Sequence, residues 1–269
     1  MNGSHHMNIV QWPCYCPAMT PRSASRGIVS RDRWAAQIAA LDSPAAPSRP
    51  RKEPITPARI VDAALELVKA DGYDALTMRR VAAALGASPG ALYVHVRDKA
   101  ELDDLMIGEL CSKVMLPVPD PSRWKEQTLD VCRQLRDQYL RYPGISRAVL
   151  ATAPNSLDTL RINEALLAIL LAAGASPRSA AWVTDAAFLY IAAYSLVSLR
   201  RPSEEDADGR VVNRAEAIER LKMLPPERFP ITVAHAEELT SGNGHERFDS
   251  TLGLLFGGLT PQPESHHEH

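Results

Sequence analysis

The stretch Leu76–Lys99, LTMRRVAAALGASPGALYVHVRDK, leaves its chain little choice of local structure. Thr77 is a good N-cap for a helix over Met78–Leu85, and Leu76 and Val81 stand at the spacing of a hydrophobic staple. Gly86 follows, where a helix end needs a residue that tolerates positive φ. Ser88 and Pro89 then form a second N-cap and first helical position, and Ala91-Leu92-Tyr93-Val94 can carry that helix about two turns. Asp98-x-x-Glu101 opens a third helix in the same way. Two short capped helices joined by a glycine turn are the pattern of a helix-turn-helix, and the chemistry this predicts is contact with duplex DNA.

Charge agrees with that expectation. Residues 1–99 carry 13 Lys+Arg against 8 Asp+Glu, a net of +5, while residues 100–269 carry 17 against 24, a net of −7. A basic front half suits a polyanion that an acidic back half would repel, although ordinary scatter of surface charge would give the same numbers. With 269 residues, 45% hydrophobic and 23% charged, the chain has material for one large or two ordinary soluble domains. Met1–Thr20 has no apolar run like that of a secretory signal. The longest apolar stretch, Ala165–Ala175, is about half the ~20 residues of a bilayer span. A cytoplasmic protein without a membrane partner is expected.

Four cysteines in so long a chain make no disulfide framework. Cys14-x-Cys16 has only His5 and His6 nearby, and no second pair completes a zinc site. Cys111 and Cys132 sit in helical patterns as small core residues, and His266-His267-Glu268-His269 could bind metal only opportunistically. No metal or other cofactor is expected. No Ser/His/Asp or Cys/His set, phosphate loop or paired carboxylate site appears, so no residue is assigned a catalytic role.

The remaining sequence is helical by period throughout, with no β alternation of any length. The expected fold is all-α, a three-helix helix-turn-helix head followed by a helical bundle. Residues 1–53 are broken by prolines and hold one possible short helix, Arg33–Leu41. Ser48–Glu53 (SRPRKE) is either a basic arm that reaches a groove or phosphates, or a solubilising tail. The head spans 54–100, with its first helix from Thr56-Pro57 to about Ala70. The bundle spans 101–260, with helices over Asp98–Met115, Trp124–Arg141, Ile145–Ala151, Ser156–Ala173, Ser176–Leu199, Arg214–Met223, Ile231–Leu239 and His245–Leu259. Arg200–Asn213 is a polar acidic loop, and 261–269 a disordered tail. Ser176–Leu199 has one apolar face through Val183, Ala187, Tyr190, Tyr194 and Val197. Trp182, Ala186, Leu189, Ala193 and Leu196 form a second, so this helix must be covered on two sides.

Ile60-Val61-x-Ala63-Ala64, Gly72-x-x-x-Leu76-Thr77, Arg79–Leu85-Gly86 and Ala91-Leu92-Tyr93-x-His95-Val96-x-x-Lys99-x-x-Leu102 together resemble the TetR family of transcriptional repressors. Tyr142-Pro143-Gly144 and Glu246-Arg247-Phe248-x-x-x-Leu252-x-x-Leu255-x-x-Gly258-Leu259 look like the subset that includes the tetracycline repressors. The resemblance implies a recognition helix Pro89–His95 in the major groove, with Thr77 and Arg79 near a phosphate or base, and Tyr93, His95 and Lys99 on backbone phosphates. Pro89, Gly90 and Ala91 carry no hydrogen-bonding side chain and could give only apolar contact or close approach. Arg79, Arg80 and Ser88 are left as the polar readers, and DNA shape would supply the rest.

The resemblance further implies a homodimer paired through Ser176–Leu199 and His245–Gly258, with Ala180, Ala181, Ala186, Ala187, Ala192 and Ala193 allowing close helix approach. It implies a small-molecule effector pocket in each bundle, with Trp124, Tyr139, Asn163, Trp182, Asp185, Phe188 and Tyr194 as its candidate lining. Ile145–Ala153 holds no histidine, and Arg147 has the wrong charge for a metal, so a tetracycline–magnesium complex is not the effector expected. The function expected is a ligand-responsive repressor, a homodimer on a palindromic operator. The alternative is a non-catalytic helical scaffold that uses the helix-turn-helix only structurally, and activation in place of repression stays open.

Overall fold

The computed structural model describes Ala35 and residues 54–151, 156–198, 214–242 and 244–259. The expected Arg33–Leu41 helix (apart from Ala35, which is helical), the Ser48–Glu53 arm, the Arg200–Asn213 loop and the 261–269 tail lie outside them. Twelve α-helices and one short 3-10 turn, and no strand, make up the described residues.

Helix α1 (Pro57–Asp71) begins where Thr56 accepts the Arg59 amide and ends at Gly72, whose φ of 79° turns the chain out of the helix. Its inner stripe is Ile60, Val61, Ala64, Leu65 and Val68, all buried. A 3-10 turn, Tyr73–Ala75, follows, which periodicity did not indicate. Helix α2 (Met78–Ala84) is capped by Thr77, which accepts the Arg80 amide at 3.2 Å, and the staple residues Leu76 and Val81 are both buried. Gly86 has a φ of 61°. Helix α3 (Pro89–Tyr93) starts at Ser88, which holds the extended N-cap conformation, but its hydroxyl makes no capping bond. Leu92, on α3, and Val96, just beyond it, are fully buried in the core, and α3 packs on α2.

Helix α4 (Lys99–Ser112) joins head to body. The Asp98 carboxylate accepts the Glu101 amide at 2.9 Å, whereas the Glu101 carboxylate reaches back one residue beyond the usual capping box, to the Arg97 amide at 2.6 Å. Asp98→Ala should therefore cost about 1 kcal/mol, read as a lower thermal midpoint by circular dichroism. The first turns of α4 pack on α1, and the rest packs on α5 (Trp124–Leu140), α6 (Ser146–Ala151) and α7 (Leu157–Ala172). A boundary drawn between residues 100 and 101 thus falls inside one continuous helix, and the described residues from 54 onward belong to one compact unit.

Helix α8 (Pro177–Ser198) is the centre of the body, in contact with α5, α6, α7 and α12 (Gly244–Gly257). Its length and composition alone would let it cross a bilayer, and its neighbours explain its apolarity instead. Its inner face is Ala180, Val183, Thr184, Ala187, Ile191, Ala192 and Ser195. Val197, expected on one face with Val183, is 54% exposed. Helix α12 is held to α5 by a two-pronged Arg133–Asp249 ion pair at 3.0 Å, with Phe248 stacked on Tyr190 and under the Arg136 guanidinium. Helix α9 (Arg214–Lys222) has no buried residue. The expected Ile231–Leu239 helix is two short ones, α10 (Pro230–Ala234) and α11 (Ala236–Thr240), broken at His235.

Candidate nucleic-acid interface and ligand cavity

The Thr77 cap, the glycine turn and the extended Ser88 before Pro89 set the two helices so that one side of each is core and the other is bare. Thr77, Arg79, Ser88, Pro89, Gly90 and Tyr93 are exposed, and Ala91 and His95 are partly so. Arg79, in the first turn of α2, and Pro89 and Gly90, in the first turn of α3, are all exposed. Tyr93, half exposed, stands beside Val94, which is 79% exposed. Val94 was not singled out from sequence, since an apolar residue in an apolar run reads as core.

Two expected DNA ligands have other occupations. The Arg80 guanidinium pairs with Asp71 and bonds the Ala75 carbonyl, which ties α2 to the end of α1. The Lys99 ammonium pairs with Asp103, bonds the Tyr73 hydroxyl at 2.9 Å and lies 4.0 Å from the Tyr73 ring centroid. Either cation would have to leave these partners to reach a phosphate.

Tyr73 is the joint between head and body. Its amide donates to the Pro143 carbonyl at 2.8 Å, and its hydroxyl donates to the Asp103 carboxylate at 2.7 Å. Burial first, then the Asp103 bond, raises the Tyr73 pKa above the ordinary phenol value, so the hydroxyl stays a donor. Gly144 has a φ of 84°, and a Cβ there would sit 3.1 Å from the Tyr73 Cβ. Arg147, on α6, pairs with Asp74 in the same 3-10 turn. The Tyr142-Pro143-Gly144 turn is thus a seat for the head.

The cavity draws on two of the same elements, α4 and α6. About 370 Å³ in volume, it is lined from α4 by Asp104 and Ile107, from α5 by Tyr139, and from α6 by Val149 and Leu150. Ser156, at the N-cap of α7, with Thr159, Leu160 and Asn163 on that helix, and Ala181, Asp185, Phe188, Leu189 and Ala192 on α8, complete the wall. This is the size and mostly apolar character of a small-molecule site. Tyr139 is buried to 3% exposure, and burial holds its hydroxyl proton well above the ordinary pKa. The nearby Cys111 thiol, which accepts from Thr159 at 3.6 Å, is pushed up to about 11 by burial, and Cys132 to about 12, so both stay protonated and unreactive near neutrality.

Of the seven side chains expected to line a pocket, the structure brings together Tyr139, Asn163, Asp185 and Phe188. Trp124 lines a separate crevice with Leu170, Ala173 and Leu259, and Trp182 is 69% exposed on α8. Tyr194 packs in the aromatic cluster with Tyr190 and Phe248 and faces a different groove, toward α11 and α12. Among the described residues no group of three or more His, Cys, Asp or Glu could hold a metal ion.

The family model for bacterial regulatory proteins of the tetR family matches residues 60–103, and that for the tetracyclin repressor-like C-terminal domain matches residues 116–262. The chain belongs to the TetR family. The transcriptional repressor DrrR1 of Streptomyces coeruleorubidus is 29% identical over 229 residues, covering 79% of this chain and 80% of that one. The class D tetracycline repressor protein of Escherichia coli is 27% identical over 209 residues, covering 76% and 88%. The structure of ActR from Streptomyces coelicolor in complex with actinorhodin has a TM-score of 0.70 and 32% identity, covering 76% of this chain and 95% of ActR.

This TetR-family member is a ligand-responsive transcriptional repressor that binds operator DNA and acts as a homodimer. The surface left bare on α8 and α12 suits a partner copy. Ala181, Trp182, Asp185, Leu189, Ala193 and Val197 are exposed along α8, and Leu254, at 77%, with Gly253 and Gly257 along α12. Ala181 and Ala193 thus face outward as expected for close helix approach, whereas Ala180, Ala187 and Ala192 are buried in their own subunit.

Proposed function

We propose that this repressor meets DNA through Arg79, Ser88 and the α3 surface from Pro89 to Tyr93, with Thr77 and His95 at its edges, and takes its effector in the α4–α8 cavity. The observation that carries the first part is the bare side of α2 and α3, whose exposed residues are neutral or basic. Tyr93 and the free N-terminus of α3 suit phosphates, which fix register, and Arg79 is the polar side chain long enough to pair with a base edge. Val94 adds an apolar contact surface of the kind that meets a thymine methyl. Arg80 and Lys99 act in holding the head together and to the body, rather than as first DNA ligands. The protein works without catalysis, in the cytoplasm where its operator is.

The cavity and the joint share two elements, and that supports a route for the signal. Helix α4 carries Asp103 toward Tyr73 and Asp104 and Ile107 into the cavity wall. Helix α6 carries Arg147 toward Asp74 and Val149 and Leu150 into the same wall. A ligand that resets α4 or α6 therefore changes how each head is seated, and with it the separation of two recognition helices on DNA. The effector shifts the dimer toward a DNA-incompetent spacing by its higher affinity for that state. A hydroxyl-radical footprint tests the docking. Two protected patches on one face of the duplex, one helical turn (about 34–36 Å) or a multiple apart, are expected from a dimer. A single patch would refute paired docking.

A further inference from the structure

We infer that the effector is a neutral, flat ring system with a lactam or imide edge, an N–H beside a C=O, that pairs with the side-chain amide of Asn163. This rests on the cavity being the effector site. Its volume of about 370 Å³, walled by Ile107, Val149 and Phe188 from α4, α6 and α8, suits a fused aromatic body. Helix α7 supplies the polar wall. Ser156 at its N-cap, Thr159 and Asn163 recur at spacings of three and four, so they share one face. The charged lining residues, Asp104 and Asp185, stand on α4 and α8, and α7 contributes neutral groups to the described wall.

The hydroxyls of this wall are bonded within the protein. Ser156 Oγ and Thr159 Oγ1 lie 2.7 Å apart, Thr159 donates to Cys111 Sγ at 3.6 Å, and Tyr139 is hydrogen-bonded with the same thiol. Asn163 differs. It is partly buried, yet among the described residues its side-chain amide has no hydrogen-bond partner. A carboxamide offers N–H donors and a carbonyl acceptor on one planar head. A ligand that displaces water from it has to meet both ends, or leave one unpaired. A hydrocarbon meets neither, a lactone carbonyl meets the donor alone, and a lactam edge meets both in register. The same face of α7 also touches the linking helix α4. Ser156 packs so close to Gly108 that a Cβ there would lie 3.1 Å from the Ser156 Cβ, and Cys111 takes the Thr159 bond. A ligand held by Asn163 thus bears on a face packed against the helix that joins head to body.

The test uses the full-length dimer and three fluorescent probes of one outline: the lactam phenanthridinone, the lactone benzocoumarin and the hydrocarbon phenanthrene. The lactam should bind about tenfold more tightly than the lactone, from which it differs by one N–H in place of a ring oxygen. In Asn163→Leu, checked for intact helix content and dimerisation, the lactam-to-lactone ratio should fall to about one, with phenanthrene binding kept. Equal binding of lactam and lactone by the unmodified dimer, no lactam binding, or a preference that survives Asn163→Leu would overturn the inference. Leu160→Trp, which fills the cavity from a wall position that is 39% exposed, separates this failure from that of the site itself. Loss of phenanthrene binding in that variant supports the cavity as the site, and undiminished phenanthrene binding would overturn both readings.

Discussion

Arg79→Ala should weaken operator binding about 10- to 100-fold, a loss of roughly 1–3 kcal/mol, and relax the preference at the base pair it faces. The size follows from how few polar readers the recognition surface has. Pro89, Gly90 and Ala91 can form no side-chain hydrogen bond to a base, and Arg80 is engaged by Asp71 and Ala75. Loss of one bidentate arginine therefore removes a large share of direct readout. Tyr93→Ala should act differently, weakening all DNA sequences to a similar extent, because a phosphate contact carries no base information. Both residues are exposed on the head, away from the bare stripes of α8 and α12, so sedimentation should still show a dimer. Titration of each variant against operator and scrambled duplexes at one salt concentration separates the two effects. A uniform loss for Arg79→Ala would count against its reading a base.

The second large effect is expected at the joint. Tyr73→Phe keeps the ring and the backbone bond to Pro143 but removes the hydroxyl that links Asp103 and Lys99. A hydrogen bond to a charged group contributes about 1.5–3 kcal/mol, comparable with the 1–3 kcal/mol by which effector and operator sites are typically coupled. The variant should still bind effector, because Tyr73 does not line the cavity. The drop in operator affinity caused by a releasing compound, some 5- to 150-fold in coupled proteins of ordinary strength, should shrink to a few-fold. Amide exchange through residues 57–96 should quicken at the same time, as the head is held less firmly. Undiminished release by the effector would show that the signal passes elsewhere.

Much of this molecule could be read from its sequence, for identifiable physical reasons. The head was legible because its signals are local. Thr56-Pro57, Thr77, Gly86 and Asp98 each act within four residues of themselves, and the structure has helix boundaries at all of them. The cavity was only partly legible, because a lining is set by which faces of five elements meet. Asn163 and Asp185 stood out as polar residues on apolar helices, but Leu150, Leu160 and Leu189 carry no mark that separates a cavity wall from a core. The large aromatics Trp124, Trp182 and Tyr194 misled for the converse reason, since their size suggested a pocket while their helix faces pointed elsewhere. Tyr73 and Lys99 show the limit most plainly. Their contact spans 26 residues of chain and depends on where the Tyr142-Pro143-Gly144 turn comes to rest.

Selection of DNA bound by the full-length protein from a random-sequence pool tests the central claim most directly. The account predicts enrichment of a two-fold-symmetric site, with sharp preference at the few positions within reach of Arg79 and weaker, shape-dependent preference at positions under Pro89, Gly90 and Ala91. Failure to enrich any sequence, or enrichment of a single unpaired half-site, would contradict it.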